Sequence, residues 1–223
     1  MEHPCESLPD SPAALLSEGS LRVGVPSSPH VVCRLVLYLK ELMRWNEKMN
    51  LTAIETEVEI ISKHFVDSLA AFKIFKPHPG LRVLDVGSGA GFPGMVLKLQ
   101  APDLAVTLLE PSTKKAAFLH HLVGTLGVPG LAIQTERIES FRDGGFDLIV
   151  SRALKADIVL SAAPRLLTPG GKVLLYRVTP LAGIPDKYRI LKQISFTLPF
   201  LHVPRTLTLL EHTATDSSTW NKH

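Results

Sequence analysis

Apolar residues recur along this chain with two different periods, and the alternation between them predicts the fold. From residue 30 the period is helical. Val31, Leu35, Leu39 and Leu42 share one face, with Arg34, Lys40, Glu41 and Arg44 between them. This face predicts an amphipathic helix running to about Trp45, with Asn50 and Thr52 where the chain leaves it. Val58, Ile61, Phe65 and Leu69 mark a second helical face, and Lys76-Pro77-His78-Pro79-Gly80 ends it. The run 81–86 is apolar and β-rich. It passes into a turn with glycines at 87, 89, 91 and 94, then into a helical pattern through Met95, Val96, Leu97 and Leu99. Further strands are expected at 106–110, 131–135, 146–150 and 172–177, with helices at 112–127 and 155–167. The last apolar segments, 190–198 and 207–210, read as an antiparallel pair.

Strands alternating with helices imply a mostly parallel sheet covered on both faces. The expected fold is therefore α/β and Rossmann-like, with an N-terminal helical cap and a C-terminal antiparallel strand pair. Residues 1–29, rich in Pro, Ser and Gly, read as a flexible arm with at most a helical turn at 13–16. Residues 30–79 form the cap, 80–212 the main domain and 213–223 a frayed tail. Ligands of such sheets bind beyond the carboxyl ends of the strands. That places Asp85 to Gly91, Glu110, Ile138, Glu139, Ser151 and Arg152 along one rim.

Composition narrows the class without naming a ligand. The formal charge of +3 over 223 residues permits a nucleic-acid partner but does not require one. Cys5 and Cys33 have no CxxC spacing, so no metal site or redox pair is expected, and free thiols suit a reducing cytoplasm. No apolar run approaches a membrane span, and the acidic start of the chain does not resemble a signal peptide.

The glycine turn can be read in two ways. Asp85 with Gly87, Gly89 and Gly91 spells the loop of S-adenosylmethionine enzymes, whereas Gly89, Gly91 and Gly94 spell the dinucleotide fingerprint GxGxxG. Glu110, at the end of the next strand, serves either ligand, because a carboxylate accepts from both hydroxyls of a ribose. Context favours the methyl donor: Gly87 sits at the strand end, and Asp85 is placed for a ligand bearing an ammonium group and a sulfonium.

The segments WNEKMNLTAI (45–54), HFVDSL (64–69), LDVGSGAGFPG (84–94) and FDLIVSRAL (146–154) resemble the bacterial small-subunit ribosomal RNA methyltransferase G family, also called glucose-inhibited division protein B. The likeness runs from about residue 30 to 211, and WNxxxNLT and HxxDS are more specific than the glycine loop. It implies a Rossmann-like S-adenosylmethionine-dependent enzyme that methylates N7 of guanine 527 in 16S rRNA, free or within the 30S subunit. Such an enzyme is expected to be a cytoplasmic monomer with no membrane partner. By motif, Asp85, Gly87, Gly89, Gly91 and Phe92 would form the donor pocket, with Phe92 where the family usually has Leu. Glu110 would hold the ribose, and Ile138 and Glu139 would flank the adenine. Arg152 would reach donor and target as the catalytic positioning group. His64 and Asp67 would support the pocket floor.

The chemistry agrees with that resemblance. Guanine N7 carries a lone pair and no proton, so its methylation needs no general base, and placement supplies most of the rate. The segment Ser151-Arg152-Ala153-Leu154 is not the Pro-Pro-aromatic clamp of exocyclic-amine methyltransferases, and neither cysteine lies near the rim. The family's Lys-Gly after the fifth strand is Arg177-Val178 here, and Thr206 follows Arg205 in place of the common His. Lys114, Lys115, Arg137, Arg152, Lys155, Arg177 and Arg205 are candidate phosphate contacts. A donor-binding ribosome-assembly protein with weak or lost transfer, and a small-molecule methyltransferase, are the alternative functions.

Overall fold

The computed structural model describes residues 10–53, 56–152, 154–181 and 183–213. Cys5 and the tail expected from 213 onward fall, apart from Thr213, outside the described residues. The chain begins with α1 (Pro12–Arg22) and α2 (Pro29–Met49). A helical stretch with changing pitch follows: α3 (Glu57–Ile60), a π-helical segment Ile61–Val66, α4 (Asp67–Leu69) and a 3-10 turn Ala70–Lys73. The alternating part comprises β1 (Arg82–Val86), α5 (Gly94–Gln100), β2 (Ala105–Leu109), α6 (Thr113–Leu126), β3 (Leu131–Gln134), β4 (Phe146–Ser151), α7 (Ala156–Leu166) and β5 (Leu167–Arg177). It closes with β6 (Tyr188–Thr197) and β7 (Pro204–His212).

The strands form one sheet in the order β3-β2-β1-β4-β5-β7-β6. β1 pairs in parallel with β2 on one side and β4 on the other, so Leu84 lies beside Thr107 and Ile149. The chain reverses direction across the sheet at this point, which opens a crevice beyond the ends of β1 and β4. β7 runs antiparallel to β5 and β6, as expected. Successive residues of a strand point to opposite faces, and the sheet therefore has two apolar layers. Val83, Val106, Leu108, Leu148, Val150 and Leu174 pack under the N-terminal helices, α5 and α6. Leu84, Val86, Ile149, Val173 and Leu175 pack under α7 with Ile138 and Phe141.

Residues 12–22 are not part of a flexible arm. Ser11 caps α1 by accepting from Ala14 N, Pro12 starts it, and Leu15 and Leu16 are buried. A Cβ on Gly19 would lie 2.6 Å from Val66 Cγ2, so α1 sits directly on the π-helical segment. The apolar positions of 12–25 belong to the same core as β1 and α5, and the cap is continuous with the sheet domain. The fifth strand also starts earlier than expected. Leu167 pairs with Phe146 and Lys172 with Leu148, and the Pro-Gly-Gly segment is taken up by an irregularity in the register.

Candidate functional site

The crevice is floored by bare backbone. Gly87, Gly89 and Gly91 follow β1 with φ of +72°, +59° and +101°, values that favour glycine. Gly87 N–H donates to Leu109 O at 2.9 Å, which ties the turn to the end of β2. Glu110 completes the tie: its Oε2 accepts from Gly89 N–H at 2.8 Å and its Oε1 from Ser112 N–H at 2.9 Å. Each oxygen keeps a lone pair for a ligand. A cavity of ≈ 340 Å³ opens here, lined by Gly87, Gly89, Glu110, Ile138 and Glu139 among others. A Cβ on Gly89 would meet nothing within 4 Å, so this residue faces open space.

Other expected donor residues stand behind the cavity wall. Gly91 is packed: a Cβ there would lie 2.6 Å from Tyr38 Oη and 3.1 Å from Leu119. Phe92 is buried between Tyr38 and His64, with ring centroids 5.0 and 4.7 Å away and near-parallel planes. It supports the turn from below and does not line the donor cavity. Asp85 is fully buried; its Oδ2 accepts from Gly94 N–H at 2.7 Å, and its Oδ1 has no hydrogen-bond partner among the described residues. Ser88 Oγ, in the same turn, is likewise buried without a partner. The sequence did not single out Leu154, Glu136 and Pro111, which complete the cavity. Tyr38 was also missed. Its buried hydroxyl donates to Ala90 O, and an aromatic residue carrying a hydroxyl on the apolar face of α2 was the available signal.

Behind the turn lies an ion-pair cluster. Arg152 follows β4, and its Nη1 donates to Lys63 O at 3.0 Å. Its Nη2 lies 2.9 Å from His64 Nδ1. An arginine only donates, so Nδ1 accepts and Nε2 carries the proton toward Thr52 Oγ1, 3.1 Å away. Asp67 lies 3.6 Å from Arg152 and accepts from Arg205 Nε at 2.9 Å. Arg205 thus shares part of its guanidinium with an internal carboxylate, so its charge also serves the buried cluster. Lys115 and Arg137 line the cavity beside the glycine turn, while Lys114 and Lys155 are exposed. Arg177 is half-buried, and its Nε has no partner among the described residues. Thr206 is buried and pairs with Ser195 Oγ at 2.9 Å, so that departure from the family pattern sits inside the sheet.

Burial dominates the electrostatics. It raises the Asp85 carboxyl to about 7, against the opposing pull of Gly94 N–H and the Arg152 charge. It also raises Asp67, although Arg152 and Arg205 favour its ionised form. Burial and then the Arg152 charge hold His64 well below the usual imidazole range. The neutral His64 required by the hydrogen-bond directions is thus the form that its surroundings favour.

Sheet order, glycine turn and carboxylate-bounded cavity define a Rossmann-like methyltransferase. TrmN from Thermus thermophilus superposes with a TM-score of 0.56 at 18% identity, over 68% of this chain and 53% of its own. A mutant of MtNAS in complex with S-adenosylmethionine gives 0.58 at 17% identity, over 83% of this chain and 77% of its own. The family model described as rRNA small subunit methyltransferase G matches residues 32–203. The ribosomal RNA small subunit methyltransferase G of Nitrosococcus oceani is 36% identical over 88% of this chain and 93% of its own. That of Burkholderia thailandensis is 37% identical over 89% and 90%. The chain belongs to the ribosomal RNA small subunit methyltransferase G family.

Proposed function

We propose that this chain transfers the methyl group of S-adenosylmethionine to N7 of guanine 527 in the decoding-region loop of 16S rRNA. It does so in the cytoplasm, as a monomer, on free rRNA or the assembling 30S subunit. The donor supplies a methyl group already activated on a sulfonium, so the chain's task is binding and alignment. Glu110 is suited to the ribose hydroxyls. Ile138 and Glu139 are suited to the two sides of the adenine, and the buried Asp85 carboxylate acts on the donor's positive end through its charge.

The observation that carries the choice of N7 is the occupied state of the groups facing Arg152. His64 Nδ1 accepts from Arg152, and Asp67 is engaged by Arg152 and Arg205. His64 Nδ1 is occupied and Asp67 is fully buried, so neither is placed to remove a proton from a base, and N7 has none to remove. Arg152, just beyond β4, keeps 19% of its side chain exposed, and its charge there favours approach of the RNA backbone.

The test is incubation with labelled donor and small subunits lacking the modification, followed by mapping of 7-methylguanine. Label at that one guanine is expected. Measurable donor binding with no label in RNA would overturn transfer and leave the assembly function. Label only in small molecules would replace the RNA substrate.

A further inference from the structure

The function proposed above requires a place that recognises guanine while leaving N7 exposed. A second cavity, of ≈ 690 Å³, opens between the end of α2 and the segment that follows it. This is within the range of small-ligand sites. Met43, Asn46, Glu47 and Asn50 face it from one side of the helix, at i, i+3, i+4 and i+7, with Thr52 and Ile60 opposite. The second cavity reaches the cluster that lies behind the glycine turn of the first. Thr52 of the second touches His64, and His64 stacks on Phe92, three residues beyond Gly89 of the first. Three residues of chain span at most about 11 Å.

The polar groups in this cavity have fixed directions. Asn46 Oδ1 accepts from Thr52 N–H at 2.8 Å. A backbone N–H can only donate, so this contact fixes the amide orientation and leaves Asn46 Nδ2 as a donor. Glu47 is exposed and has no ion pair among the described residues, which leaves both its oxygens as acceptors. Met43 and Ile60 provide apolar walls.

We propose that this cavity binds the Watson–Crick edge of the target guanine. Glu47 accepts from N1–H and the N2 amino group, and Asn46 Nδ2 donates to O6. Guanine alone among the four RNA bases presents two adjacent donors beside an acceptor on that edge, whereas adenine and cytosine present a ring lone pair that a carboxylate repels. N7 lies on the other edge of the base, so holding this edge leaves N7 free to face the donor. An unpaired or extruded nucleotide is required, because pairing would occupy the same groups.

This inference rests on the proposed guanine substrate, and its test separates the two. Single-stranded RNA carrying guanosine or inosine at the target position is compared, because inosine keeps N1–H and N7 and lacks only the N2 amino group. Binding and transfer are measured for wild type, Glu47→Ala, Glu47→Gln and Asn46→Asp, the last keeping the acceptor for Thr52 N–H. Wild type is expected to favour guanosine by about 10–100-fold, the effect of one hydrogen bond to a charged group. Glu47→Ala is expected to remove that preference while donor affinity by calorimetry is retained. Glu47→Gln should fall between them, and Asn46→Asp should weaken both RNAs alike. Discrimination retained in both Glu47 variants would overturn the pocket. Absence of 7-methylguanine from small subunits incubated with wild type would overturn the proposed function, and the binding preference would still decide the pocket.

Discussion

The guanidinium of Arg152 donates to Nδ1 of His64 across 2.9 Å, which requires a neutral imidazole with its proton on Nε2. Protonation of His64 would set two cations against each other, with Lys63, Arg205 and the Asp67 carboxylate also close by.

Asparagine presents an acceptor near the position of Nδ1, whereas glutamine reproduces Nε2. His64→Asn is therefore expected to retain more transfer activity than His64→Gln, with kcat differing by about 10-fold or more. In wild type the native pKa of His64 is depressed, so the unfolded chain binds more protons below about 6.5. Stability from this group is present above that pH and is lost as pH falls toward the native value. His64→Asn should flatten the corresponding acid fall in stability. Equal kcat for the two variants would show that the acceptor is not what matters.

Asp85 acts with the opposite sign. Its native pKa of about 7 exceeds the ordinary 3.8, so between these values the folded state binds the extra proton. Stability from this group is present below 3.8 and declines as pH rises to 7, by up to about 4 kcal/mol. Asp85→Asn should remove that decline in urea titrations between pH 4 and 7. A cationic ligand favours the carboxylate, so donor binding near pH 7 should release protons, seen as a buffer-dependent enthalpy in calorimetry. A heat independent of buffer would place the ligand's positive groups away from Asp85.

Asp67 is buried with two arginines. Asp67→Ala leaves both guanidinium groups without their carboxylate and should cost about 3–5 kcal/mol in denaturant unfolding. Arg205→Ala should also destabilise, because Asp67 loses its donor at 2.9 Å.

The glycines of the turn are expected to differ. Gly91→Ala brings a Cβ against Tyr38 Oη, next to the Tyr38–Ala90 hydrogen bond, and should lower stability by about 2 kcal/mol or more. Gly89→Ala points into open space. Its cost to folding should be about 1 kcal/mol from the positive φ, with the greater loss in donor affinity. Thermal melts and calorimetry of the two variants separate these effects.

Much of this was legible in the sequence, because local periodicity reports which face of each element is buried. The strands, their order of occurrence and the glycine turn follow from patterns that depend on neighbours only a few residues away, whereas the hydrogen bond from Gly89 N–H to Glu110 joins residues 21 positions apart. Helix α1 was obscured because Pro and Ser were read as signs of a flexible arm, whereas Ser11 and Pro12 begin a helix. Tertiary structure alone decided which charges were free. Arg205 and Lys114 are both basic residues, but Arg205 meets a carboxylate 138 positions away and Lys114 is exposed. The same holds for Phe92, drawn beneath the turn by Tyr38 and His64 from two different helices. Hydrophobic burial is encoded locally, whereas the pairing of polar groups depends on contacts between distant segments, which a sequence pattern does not contain.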